Sequence, residues 1–127
     1  MKLRIRDNSI RLRLTRGEVD ALARDGRVAS AVAFPGGARL EYAVVCAPGA
    51  QAPGAEYAAS SVRVTVPADE VHAWAGSERV SISGEQPLGG DATLAILVEK
   101  DFACLAPRGG EDESDMFPHP GKDIESC

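Results

Sequence analysis

Two short segments near the N-terminus constrain the fold more than any other part of the chain. Residues 2–6 (KLRIR) and 9–14 (SIRLRL) alternate between polar and apolar side chains. A period of two marks a strand with one covered face, because successive side chains leave a strand on opposite sides. Leu3 and Ile5 therefore share a face, as do Ile10, Leu12 and Leu14, and these are expected in the core. Lys2, Arg4, Arg6, Arg11 and Arg13 take the other face. Asp7-Asn8-Ser9 has turn chemistry and joins the two strands as a hairpin. The cations then crowd one face. Like charges opposite each other destabilise a sheet, so something anionic should compensate them.

Thr15-Arg16-Gly17-Glu18 reads as a capping box, with Val19, Leu22 and Ala23 at helical spacing and Gly26 as a stop. The pattern predicts a short helix over 16–25. A strand meander follows, with Val28, Val32 and Phe34, a turn at Pro35-Gly36-Gly37, then Leu40, Tyr42, Val44 and Cys46 on one face. Residues 47–59 are rich in Ala, Pro and Gly without a period, and read as a mobile surface loop. Val62, Val64 and Val66 alternate with polar neighbours; Pro67 suits a helix start, and Val71, Trp74 and Ala75 form its apolar stripe up to Gly76. Another alternating strand is expected at 79–83 and a turn at 85–91. Residues 92–98 are apolar on both faces apart from Thr93, as in a central covered strand.

The chain has 127 residues, 44% of them hydrophobic and 26% charged, which suits one soluble domain with a real core. No apolar run approaches a membrane span, and the opening residues show no signal-peptide core, so a cytoplasmic location is expected. Three scattered cysteines, Cys46, Cys104 and Cys127, suggest reduced thiols rather than a disulfide framework. The expected architecture is α+β: a single domain over residues 1–118, built on a largely antiparallel sheet of six to seven strands. Two short helices and an extended C-terminal segment complete it, with 119–127 a frayed tail. Phe102, Cys104, Leu105, Met116 and Phe117 are apolar anchors that should hold 101–118 on the body.

The net charge of −5 hides an asymmetry. Residues 1–16 carry six cations against Asp7, and residues 111–127 carry six anions against Lys122. The two ends are electrically complementary. The candidate anion-binding set is Arg4, Arg6, Arg11 and Arg13, whose guanidinium forks suit phosphate or carboxylate. The plainer alternative pairs them with Glu41, Glu99 or the acidic C-terminal run, or leaves them to water. Nucleic acid is a poor partner for an acidic chain with 5% aromatic residues. Glu111, Asp112, Glu113 and Asp115 could hold Mg²⁺ or Ca²⁺ through carboxylate oxygens, although the run lacks the spacing of a calcium loop and equally reads as a charged loop docked on the arginines. Cys104, His119 and Cys127, with Asp101 or Asp115, match no standard zinc spacing. Cys104 reads as a small core residue and His72 as an exposed helix residue.

The segments NSIRLRLT at 8–15, LVEKDFACL at 97–105 and EDESDMFP at 111–118 resemble a family of small bacterial proteins of unknown function. The resemblance spans nearly the whole chain. It implies a compact domain and no established activity, hence no catalytic residues to carry over, and it implies Asn where this chain has His119. The functional expectation is a binding or interaction protein, with the basic face taking a small anion or an acidic protein segment. The alternative is an enzyme acting on a phosphorylated small molecule, with a divalent metal on the acidic run. No other cofactor is evident.

Overall fold

The computed structural model describes residues 1–102. Its elements are β1 (Lys2–Arg6), β2 (Ser9–Leu14), α1 (Arg16–Asp25), β3 (Arg27–Ala33), a short 3-10 turn (Pro35–Gly37), β4 (Arg39–Ala47), β5 (Gly54–Ala58), β6 (Ser61–Pro67), α2 (Ala68–Ala75), β7 (Ser81–Pro87) and β8 (Thr93–Lys100). The fold is α+β, but not on one antiparallel sheet. The strands form two four-stranded mixed sheets, β1-β2-β8-β7 and β3-β4-β6-β5. In each, the central pair, β2 with β8 and β4 with β6, is parallel. Alternation shows that a segment is a half-covered strand, but not which strand lies beside it or in which direction. The expectation of a single meander therefore failed at the sheet centres.

The two sheets are copies of one another. Lys2 opposes Arg13 in β1–β2 and Gly54 opposes Thr65 in β5–β6, an offset of 52 in both partners. Arg27 opposes Val45 in β3–β4 and Ser81 opposes Glu99 in β7–β8, an offset of 54 in both. The same offsets carry the parallel pair Ser9–Ala95 onto Ser61–Glu41. Loop hydrogen bonds repeat as well: Phe34 N to Ala38 O at 2.8 Å matches Leu88 N to Ala92 O at 2.9 Å, and Glu41 N to Ser60 O matches Ala95 N to Asn8 O, both at 3.1 Å. The described chain is thus two strand–strand–helix–strand–strand units, each lending two strands to either sheet.

Helix α1 forms as its sequence dictates. Thr15 is its N-cap, with the capping box complete to Glu18, and Gly26 closes it at φ 83°, a conformation costly for other residues. Met1 N, as an ammonium, reaches Glu18 Oε2 at 2.6 Å. Burial of the Glu18 carboxyl opposes its ionisation, but the amine and the Thr15 hydrogen bonds outweigh it and hold the group below the ordinary glutamate range. Beyond the end of β6, α2 starts from Pro67 and ends at Gly76.

The core is one cluster. Leu12, Leu14, Ile96 and Val98 come from one sheet, Val44, Val64 and Val66 from the other, and Val19, Leu22, Val71 and Trp74 from the helices. Leu22 and Trp74 are equivalent under the offset of 52, and both are fully buried. Trp74 Nε1 donates to Val80 O at 2.9 Å, so its one polar atom is satisfied. At the ends of the strands away from the helices the core face opens. Ile5, expected in the core, is 60% exposed, and so is its equivalent Tyr57, at 69%.

Three local expectations need correction. Within the segment read as a mobile loop, Gly54–Ala58 forms β5 and pairs with β6. Its sequence GAEYA is too poor in β-branched residues to signal a strand, but an edge position with one partner tolerates that. The strand expected at 79–83 runs instead from Ser81 to Pro87, and the turn begins only at Leu88. Here Gly84 lets the two sheet edges meet, since a Cβ on it would lie 2.9 Å from Pro53 Cδ. Phe102, expected as an anchor, is 61% exposed. Cys104, Leu105, Met116, Phe117 and the limits placed at 118 and 119 lie outside the described residues. Among the described residues, no helix is long and apolar enough to cross a membrane.

Candidate functional site

Strand register sets out the outer face of the first sheet as three rows running across β1, β2, β8 and β7. Nearest the helices is the row Lys2, Arg13, Glu99, Ser81. The middle row is Arg4, Arg11, Leu97, Ser83. The far row is Arg6, Ser9, Ala95, Glu85. The four arginines singled out from the sequence are therefore brought onto one face, and the middle and far rows line a groove of about 480 Å³. Arg4 and Arg6 form its cationic wall, Arg11, Ser9 and Leu97 its floor, and Ser83 with Glu85 its opposite wall.

Among the described residues, Glu99 is the carboxylate that pairs with the arginines of this face. Its Oε2 lies 3.0 Å from Arg11 Nε and its Oε1 3.8 Å from Arg13 Nη2, with the side chain only 15% exposed. Among the described residues, Oε2 receives no well-angled hydrogen bond and is held by charge attraction alone. Pairing with Glu99 was one of the alternatives open from sequence. Pairing with Glu41 does not occur on this face, because Glu41 belongs to the other sheet and meets Arg27 at 3.4 Å. Lys2 lies 3.5 Å from Asp101 at the corner where β8 ends.

The second sheet supplies an internal reference. Its equivalent rows are Gly54, Thr65, Val45, Arg27; then Glu56, Arg63, Ala43, Ala29; then Ala58, Ser61, Glu41, Ala31. Arg63 takes the place of Arg11, and Glu56 the place of Arg4; these two form an ion pair. Among the described residues in these rows, cations and carboxylates balance there, two against two, whereas the first sheet sets five cations beside Glu99 and Glu85. Two faces of matching register thus carry two electrostatic characters.

Ser83, Glu85 and Leu97 were not anticipated as groove residues. Alternation in their own segments could have put Ser83 with Glu85, but nothing local shows that β7 and β8 lie beside the N-terminal hairpin. Glu111, Asp112, Glu113 and Asp115 lie outside the described residues, as do Cys104, His119 and Cys127; Asp101 is engaged with Lys2. Among the described residues, no group of three or more His, Cys, Asp or Glu is placed to share a metal ion. His72 is exposed on α2, as expected.

Comparison with curated proteins and with solved structures gives no match to either. A family model described as a family of unknown function (DUF7009) matches residues 1–121, and the chain belongs to that family.

Proposed function

We propose that the protein is a binding module whose first sheet takes a small anion of the phosphate or carboxylate class in the groove beside Arg4, Arg6 and Arg11. One observation carries this reading: where the second sheet opposes Arg63 with Glu56, the first opposes Arg11 with Arg4. A surface needing only structural charge balance has the solution in its own other half. Cross-strand like charges cost stability, and a bound anion offsets that cost. Guanidinium forks donate paired hydrogen bonds to phosphate or carboxylate oxygens, with Ser83 as a further donor and Leu97 as apolar contact.

Thermal unfolding with inorganic pyrophosphate tests the reading. A ligand bound only by the native state at a hundred times its Kd stabilises by about 2.7 kcal/mol, which is several degrees for a chain of this size. Arg6→Ala or Arg11→Ala should remove most of that shift. A shift no larger than that of chloride at equal ionic strength would refute the proposal.

A further inference from the structure

We infer that the ligand of this groove is dipolar: a phosphate or carboxylate seated at Arg6 and Arg11, and a protonated amine seated at Glu85, joined by a short aliphatic chain. The inference rests on the anion-site reading above and names the class of molecule that fits it. The far row of the face carries it. The ends of that row are Arg6 on β1 and Glu85 on β7, with Ser9 and Ala95 between them. The equivalent ends in the second sheet are Ala58 and Ala31. The two opposite charges are therefore particular to the face that holds the groove, and both line it. Arg6 and Glu85 are exposed, and among the described residues neither has an ion-pair partner. Nor do they meet each other: at about 4.8 Å per strand, three spacings set the β1 and β7 backbones roughly 14 Å apart. The floor between them suits an apolar middle. Ala95 offers a methyl group, and Ser9 already donates its hydroxyl to Arg6 O at 2.7 Å. At the far wall an ammonium brings three donors, which the Glu85 carboxylate and the Ser83 hydroxyl oxygen can accept.

Two probes that differ by one group, butyl phosphate and aminobutyl phosphate, separate the amine's contribution from that of the anion. Both are titrated calorimetrically into the wild type, Glu85→Gln and a control, Asp91→Asn. The control removes an exposed charge from the turn between β7 and β8, outside the groove. An exposed ion pair changes affinity by up to about fivefold. The wild type and the control should therefore bind aminobutyl phosphate more tightly than butyl phosphate, and that preference should fall by about fivefold in Glu85→Gln. Butyl phosphate carries no amine, so its own Kd should not weaken in Glu85→Gln. A preference unchanged by Glu85→Gln, or lowered as much by Asp91→Asn, overturns the inference while leaving the anion site standing. Binding of neither probe to the wild type refutes the anion-site reading, and this inference with it.

Discussion

Arg11 and Arg63 stand at the same position in the two halves of the molecule, each on the second strand of its unit and each on the outer face, yet Arg11 faces Arg4 across its hairpin and Arg63 faces Glu56. Duplicated strands with matched register make this a controlled comparison: backbone, row and neighbouring strands are alike, and the side chain opposite differs.

Glu99 ties Arg11 and Arg13 together from β8. Glu99→Gln leaves the two neighbouring cations of β2 without the charge they share. A mostly buried carboxylate partnered by partly exposed arginines should cost about 1–3 kcal/mol on removal, discounted for solvent at Arg11. The same change makes the face more positive, so pyrophosphate affinity should rise while urea stability falls. A parallel fall in both would show that Glu99 is needed to shape the groove.

Much of the hairpin and of α1 was legible in the sequence. Thr15, Glu18 and Gly26 are local signals acting on their own backbone, and α1 spans 16–25 as read. The one-faced cations of β1 and β2 followed from period alone. The duplication was not legible, because the halves share only scattered identities such as Arg11 with Arg63 and Val19 with Val71. Two extra residues after α2 also shift the offset from 52 to 54. Strand β5 escaped notice because an edge strand needs few apolar residues, and Ile5 was misplaced because alternation marks a face but not where along the strand the core ends.

Gly84 separates the observed packing from a mobile 47–59 segment. Gly84→Ala would drive a methyl to within 2.9 Å of the stiff Pro53 ring, whereas Gly54→Ala meets only a contact at 3.5 Å from Thr65. The first should cost about 1–3 kcal/mol in urea unfolding and the second clearly less. Equal, small effects would mean that Pro53 does not rest on β7.

Leu22 and Trp74 fill equivalent places under the two helices. Leu22→Ala and Trp74→Ala should each cost roughly 2–5 kcal/mol, followed by circular dichroism because Trp74 is the only tryptophan. Ile5→Ala and Tyr57→Ala, at the exposed equivalent pair, should cost well under half as much.

Glu18 gives a pH dependence with a definite sign. Its carboxyl is held below the ordinary glutamate value in the folded chain, so it adds stability that is fully present above that value. That stability is lost as pH falls through the lowered folded value. The stability gap between wild type and Glu18→Gln should therefore close on acidification through that window. A gap independent of pH would show that the carboxylate charge contributes nothing.

The most direct measurement installs the second sheet's solution in the first. Arg4→Glu places a carboxylate opposite Arg11, as Glu56 stands opposite Arg63. Calorimetric titration with inorganic pyrophosphate should show binding to the wild type and a loss of at least about tenfold in the variant, with urea stability retained or raised by up to about 1 kcal/mol. Pyrophosphate affinity unchanged by Arg4→Glu in a folded protein would contradict the assignment of this face as an anion-binding site.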